Sequence, residues 1–209
     1  MTNKGKGVIA VLVKNLIRAT YKTRLAAELG EEKVEEIYSF LLKETEKAVE
    51  HFEGSVEVFF HQKIPSDREY PFFIGLKKNL QNGNDLGEKM SNTIGQLLQA
   101  HEAAIVIGSD CPLLSQEHLQ LATEKLENND VVIGPAEDGG YYLIGMKKYY
   151  PGLFTDIDWS TDQVLVQTLE KAKATGLSVG LLETLYDIDY AVDWKRYLSE
   201  NGSSQAVSE

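Results

Sequence analysis

The chain has 209 residues, enough for one domain, and its 43% hydrophobic and 25% charged residues are typical of a globular protein. The formal net charge of −11 repels DNA, RNA and anionic membranes, so we expect neither a nucleic-acid partner nor a membrane partner. A single cysteine, Cys111, excludes a disulfide within the chain, and no apolar run reaches the roughly 18 residues of a membrane helix. The polar start of the sequence is unlike a signal peptide, and we expect a cytoplasmic protein.

Strands and helices alternate along the chain. Apolar runs predict strands at 8–13, 56–60, 104–107, 131–133, 141–145 and 177–182, with a further short extended segment at 72–77. Amphipathic patterns predict helices from about Glu31 to Gly54, after Asp85, after Ser115, after Ser160 and around Trp194. This alternation predicts an α/β fold with a mostly parallel sheet and helices on both of its faces. The short connection between strands 131–133 and 141–145 predicts one exception to the parallel order.

The chain shows no internal repeat, linker or change of composition. We therefore predict a single domain over residues 1–200. Residues 201–209, made mostly of Ser, Gly, Gln and Glu, are predicted to form a disordered tail.

Residues just after the strands are the candidates for a ligand site, because ligands of open α/β sheets bind beyond the carboxyl ends of the strands. Four cations follow the first strand: Lys14, Arg18, Lys22 and Arg24. Asp110 follows the strand at 104–107, and Glu137 and Asp138 follow the strand at 131–133. Cations facing carboxylates suit a diphosphate bridged by Mg²⁺ or Mn²⁺, since these ions take carboxylate and phosphate oxygens together.

Each of these features also has a purely structural interpretation. Asp110 could cap its own turn, and the segment 137–140 could be a simple hairpin turn, although Gly139 and Gly140 would also let a ligand approach the backbone. Lys22–Arg24 could be a solvated helix start, or Thr23 could lie at a helix N-terminus that binds phosphate. Trp159 could be a core residue beside a helix cap, or a surface on which substrate stacks.

Several well-marked motifs are absent from the sequence. It contains no phosphate-binding P-loop, no dinucleotide-binding glycine fingerprint, no nucleophile elbow and no zinc-protease helix motif.

A set of segments in fixed order resembles a known family. They are Lys22–Ala26, Asp85–Met90, Gly108–Leu114, Gly134–Gly145 and Trp159–Thr161. Together they resemble the bacterial glycosyltransferase A-like family once catalogued as a domain of unknown function, some members of which are assigned to arsenosugar biosynthesis. The resemblance runs from about Val8 to about Leu198. It implies a three-layer α/β/α sandwich of the nucleotide-diphospho-sugar transferase type.

The resemblance also implies roles for residues. Asp110 matches the metal-binding aspartate, Asp138 is its acidic companion, and Lys22 and Arg24 match the segment that meets the nucleotide phosphates. We add Lys14, Arg18, Thr23 and Ser109 to the predicted nucleotide site, and predict Asp138 or Glu137 as base. The predicted substrate-binding residues are Gly139, Gly140, Tyr141, Trp159, Ser160 and Thr161.

The function implied is a metal-dependent glycosyltransferase that uses a nucleotide-sugar donor and a small-molecule acceptor. One alternative is a nucleotidyltransferase that releases pyrophosphate from a nucleoside triphosphate. A second is a non-catalytic nucleotide-binding relative, because the stretch Asn15–Tyr21 lacks the proline and glycine usual in this loop of the family. The oligomeric state is left open.

Overall fold

Seven strands form one sheet within the part of the chain that the computed structural model describes, residues 7–17 and 20–201. The strands are β1 (Val8–Val13), β2 (Ser55–Phe60), β3 (Lys77–Leu80), β4 (Ala104–Ile107), β5 (Val131–Pro135), β6 (Tyr141–Met146) and β7 (Val179–Leu181). The helices are α1 (Thr23–Leu29), α2 (Glu31–Val49), α3 (Leu86–Leu97), α4 (Gln116–Asn128), α5 (Val164–Ala174) and α6 (Ala191–Asn201), with a 3-10 helix at Pro151–Leu153.

The order of the strands across the sheet is β3-β2-β1-β4-β6-β5-β7. Only β6 runs against its neighbours, pairing antiparallel with both β4 and β5, and the other described strand pairs are parallel. The predicted exception to the parallel order is therefore confirmed. Because β6 is inserted between β4 and β5, the carboxyl ends of all the parallel strands lie at one edge, together with the beginning of β6.

Both faces of the sheet are buried. On β1, Ile9 and Val11 pack into one hydrophobic cluster with α2 and α4, whereas Val8 and Ala10 pack into another with α3 and α5. All four of these side chains are fully buried, which explains why β1 is apolar at every position rather than at alternate positions. The result is the predicted three-layer sandwich.

Two local predictions are wrong. The segment 72–76 is a turn, with Phe73 at φ 55°, and the strand begins only at Lys77. Ser160 does not cap α5: it adopts φ 65°, and the helix begins later, with Gln163 at its N-cap position. By contrast, Asp85 caps α3 as predicted, accepting a hydrogen bond from the backbone N–H of Glu88 at 2.8 Å.

Most of the predicted tail, and one residue of the predicted nucleotide site, lie outside the described residues. Asn201 is the last residue of α6, residues 202–209 are not described, and neither is Arg18. Within the ranges given above, no helix has the length and apolar character needed to cross a membrane.

Candidate functional site

A cavity of about 730 Å³ lies at the edge of the sheet where the parallel strands end. Lys14, Lys22 and Arg24 line it from the segment after β1. Carboxylates also reach the cavity, from the segments after β4, β5 and β7 and from the starts of α5 and α6: Asp110, Glu137, Asp138, Asp162, Asp187, Asp189 and Asp193. Tertiary folding thus collects cations and carboxylates from distant parts of the chain into one site.

The ammonium group of Lys22 is the centre of this charge arrangement. Its Nζ lies 2.8 Å from Oδ1 of Asp189, with hydrogen-bond geometry, and 3.0 Å from Oδ1 of Asp110. The Lys22 side chain is only 1% exposed. Burial alone would lower the pKa of Lys22, but the two carboxylates outweigh it and the pKa is raised. Lys22 therefore remains charged and offsets part of the negative charge of the site.

The backbone fixes the position of Lys22. Lys22 immediately precedes α1 in a left-handed conformation, φ 48°, which is uncommon for a lysine. Its carbonyl accepts the backbone N–H of Ala26 at 2.8 Å, and Leu25 of α1 is fully buried in the core. Helix packing thus holds an unfavourable backbone conformation, which places the ammonium group between the carboxylates.

Asp187 and Asp189 were missed by the sequence analysis. They follow β7, so the reasoning applied to the ends of the other strands would have found them. Burial, together with the charge of Asp110, raises the pKa of Asp187 to about 7. Burial also opposes ionisation of Asp189, but its contact with Lys22 holds the pKa of Asp189 below its usual value. Neighbouring carboxylates of one loop therefore differ in charge near neutral pH.

Glu137 and Asp138 lie next to each other in the connection between β5 and β6, in different environments. Both carboxylate oxygens of Glu137 accept hydrogen bonds from the guanidinium of Arg196, at 2.7 and 3.0 Å. These bonds lower the pKa of Glu137. Oδ1 of Asp138 accepts the backbone N–H of Gly140 at 2.8 Å, which orients this carboxylate within its turn. Glu137 is thus engaged by α6, whereas Asp138 is held by local backbone at the cavity wall.

Trp159 lines the cavity beside the start of α3. A side chain at Gly87 would overlap the indole ring, so only glycine allows Trp159 to lie against this helix. The rings of Trp159 and Tyr141 meet edge to face, with centroids 6.4 Å apart. Trp159 is half-buried and lines the cavity, so it is not enclosed in the core.

The altered loop after β1 is anchored by buried polar groups. Asn15 is 3% exposed, and its side chain donates to the carbonyl of Lys63 and accepts the backbone N–H of Gln62. The hydroxyl of Tyr38 accepts the N–H of Lys14 at 2.9 Å and lies 3.4 Å from Oγ of Ser109. These contacts hold the end of β1 in place without the family's usual glycine.

Most of the predicted site residues line the main cavity, with three exceptions. Ser109 is buried and lines a smaller neighbouring cavity of about 350 Å³. Gly139 packs against the backbone of Asp162, which leaves no room for a side chain there. Arg18 lies outside the described residues.

The donor set of the cavity fits a hard divalent cation that is completed by a ligand. Oδ1 of Asp110 is buried, and within the described residues it accepts no hydrogen bond although it lies 3.0 Å from Nζ of Lys22 as an ion pair. No three His, Cys, Asp or Glu side chains in residues 7–17 and 20–201 are grouped closely enough to hold an ion by themselves. Mg²⁺ and related ions are commonly bound by one or two carboxylates together with substrate phosphates, which is the arrangement this cavity offers.

The sequence matches a family model over residues 44–161, more than half of the chain. The family is described as "Uncharacterized protein conserved in bacteria (DUF2064)". The chain belongs to this family. A search of curated proteins finds no match.

Solved structures confirm the fold. A protein of Desulfovibrio desulfuricans G20 described as a "putative nucleotide-diphospho-sugar transferase" has a TM-score of 0.86 and 28% identity, over 95% of this chain and 88% of that chain. The 4-diphosphocytidyl-2C-methyl-D-erythritol synthase of Anaerococcus prevotii DSM 20548 has a TM-score of 0.61 and 11% identity, over 95% and 96% of the two chains. Rv0371C of Mycobacterium tuberculosis H37Rv, in a complex with manganese, has a TM-score of 0.57 and 12% identity, over 94% and 99%. At these low identities the last two show a shared fold alone.

Proposed function

We propose that this protein is a metal-dependent glycosyltransferase that takes a nucleotide-sugar donor and a small-molecule acceptor. One observation carries the proposal: Lys14, Lys22 and Arg24 line the cavity together with a larger number of carboxylates. A bare diphosphate would be repelled by the excess negative charge. A diphosphate bound together with a divalent cation would be attracted by the lysines and arginine, and its cation by the carboxylates.

The donor diphosphate is proposed to lie in this cavity beside the lysines and arginine, with the divalent cation between it and the carboxylates. Lys14, Lys22 and Arg24, with Arg18 as a further predicted contact, would neutralise the negative charge that builds up on the leaving diphosphate. Asp110 would hold the cation, with Asp138 as its proposed companion. The cation would supply additional positive charge to the same leaving group.

Asp138 is the proposed base toward the acceptor hydroxyl, or the second carboxylate at the metal. The two roles exclude each other in one step, because a carboxylate on a metal is a poor proton acceptor. Glu137 was predicted as an alternative base. Its double hydrogen bond to Arg196 and its lowered pKa make it a weaker base than a free carboxylate, so we favour Asp138 for that role.

The second candidate function is nucleotidyl transfer. It is favoured by the fold, since the 4-diphosphocytidyl-2C-methyl-D-erythritol synthase described above has the same architecture. The same charged residues would serve it, but the cation and lysines would then act on a nucleoside triphosphate, and pyrophosphate would be the leaving group.

Calorimetric titration of a panel of nucleotides and nucleotide-sugars, with and without Mn²⁺, tests the proposal. The wild type is compared with Asp110→Ala and with a matched control, Asp156→Asn. Asp156 is an exposed carboxylate outside the cavity at φ 49°, and asparagine tolerates this left-handed conformation.

We expect Mn²⁺-dependent binding of one nucleotide-sugar by the wild type and the control, and its loss in Asp110→Ala. Binding of a triphosphate alone, followed by pyrophosphate release with an added acceptor, would favour nucleotidyl transfer. Absence of any nucleotide binding to the wild type would refute both functions and leave the non-catalytic alternative.

A further inference from the structure

The charges that line the cavity come from different segments of the chain, and Lys22 already pairs with Asp110 and Asp189. The cations named above belong to the segment after β1. The segments 137–141 and 159–164 line another part of the cavity, and they contribute carboxylates and no lysine or arginine among the described residues that line it. Arg196 approaches this part from α6, but its guanidinium is already paired with Glu137 and with Glu200. The part of the cavity that segments 137–141 and 159–164 line, below called the acceptor half, therefore repels anions.

An apolar wall stands beside these carboxylates. The indole of Trp159 lies next to the ring of Tyr141, and Leu86 and Met90 of α3 extend the same wall. Leu86 is 46% exposed at its place on the cavity, although it is a large apolar side chain. The wall is thus accessible to a ligand and includes the partly exposed indole of Trp159.

The two segments are fixed relative to one another. The backbone N–H of Leu165 donates to the carbonyl of Gly139 at 2.8 Å, and a side chain at Gly139 would overlap the backbone of Asp162. Asp138 and Asp162 are therefore held on neighbouring segments, beside Trp159. The site is preorganised, because these contacts are backbone contacts that no side-chain rotation removes.

We infer that the acceptor half of the cavity, lined by segments 137–141 and 159–164, binds a neutral polyhydroxylated acceptor, such as an unphosphorylated sugar or polyol. Its C–H face would lie on Trp159, and its hydroxyls would donate to the carboxylates of Asp138 and Asp162. Hydrogen bonds from hydroxyls to ionised carboxylates are about twice as strong as neutral ones, whereas a phosphorylated acceptor would meet uncompensated negative charge. The inference rests on the proposed function, and it names the acceptor class of that site.

Saturation-transfer NMR with small probes tests the inference directly, because it requires no turnover. The neutral probes are methyl α-glucoside and glycerol, and the anionic probes are glucose 1-phosphate and glycerol 3-phosphate. Each is titrated onto the protein alone and onto the protein with Mn²⁺ and the nucleotide identified by calorimetry. Trp159→Leu and Asp162→Asn are compared with Trp194→Phe and Asp156→Asn, whose side chains do not line the cavity.

We expect a neutral probe to bind in preference to its phosphorylated counterpart, with affinity about tenfold weaker in Trp159→Leu and in Asp162→Asn and unchanged in the two controls. Preferential binding of the phosphorylated probes overturns the inference. So does the absence of neutral-probe binding by a protein that binds a nucleotide, which would leave the proposed function standing. If no nucleotide binds, the proposed function fails, and the titrations onto the protein alone decide the inference.

Discussion

Replacement of Asp187 by asparagine is predicted to stabilise the metal-free protein. Asp187 is partly buried beside Asp110, and both its burial and the charge of Asp110 disfavour its ionised form. An asparagine has nearly the same shape and no charge. The wild type tolerates this unfavourable carboxylate because, on the proposed function, the cavity needs negative charge when ligand is bound.

The size and sign of the effect follow from the pKa. In the folded protein the pKa of Asp187 rises from 3.8 to about 7. Below about pH 4 the Asp187 carboxyl is protonated in both the folded and the unfolded state, so it does not lower the free energy of unfolding. As the pH rises from there through 7, the unfolded chain ionises first and the folded protein loses stability, and above 7 the loss is complete. Three pH units correspond to about 4 kcal/mol as an upper limit. We expect about 2 kcal/mol, because water in the open cavity solvates part of the charge.

The assay is urea denaturation of the wild type and Asp187→Asn in the presence of a chelator, at about pH 5.5 and about pH 8. The gain in the free energy of unfolding should be larger at the higher pH. Asp162→Asn, which removes an exposed carboxylate of the same cavity, should change stability little at either pH. The reasoning is refuted if Asp187→Asn is no more stable than the wild type at pH 8, or if its gain does not depend on pH.

Two further substitutions test the packing of the site. Lys22→Met leaves the Asp110 carboxylate without its buried cation, so we expect the free energy of unfolding to fall by about 3 kcal/mol. Added Mn²⁺ should restore part of this loss. A loss below about 1 kcal/mol would show that the ion pair is weak. Gly87→Ala must displace the indole of Trp159, so we expect a lower melting temperature and a shifted tryptophan emission. Gly152→Ala is the control: its added methyl group meets open space, so this variant should match the wild type. Equal melting temperatures for the two alanine variants would contradict the packing at Gly87.

Local pattern predicted much of the architecture. The strands β1, β4 and β5 are continuous apolar runs because both of their faces are buried, and α2 and α4 carry their apolar residues at helical spacing. Local chemistry also located Asp110 and the cations after β1, because residues at strand ends must lie at the edge of a parallel sheet. The ordered segments that resemble the family also predicted the fold, since their order along the chain can be read without a structure.

Other local patterns were overridden by packing. Ser160 has the sequence of a helix cap, yet the segment around Trp159 packs against α3, and Ser160 adopts a left-handed conformation instead. The segment 72–76 is apolar enough for a strand, but it forms a turn at the end of α2 with its aromatic side chains buried. The edge strand β3 is formed instead by the more polar segment Lys77–Leu80. Propensity is a weak signal where long-range contacts decide the backbone.

The sequence by itself determined which elements form and which charged residues stand at their ends. Only the tertiary structure decided which of these charges meet. Lys22 pairs with Asp189, 167 positions further along the chain, and Glu137 pairs with Arg196, 59 positions away. The segment after β7 runs back to the same cavity, where the backbone N–H of Ile188 donates to the carbonyl of Asp110 at 3.0 Å. Such contacts depend on strand order and helix packing, which are set by the burial of apolar surface over the whole sheet. The contacts themselves leave no periodic pattern in the sequence near Asp187 or Asp189.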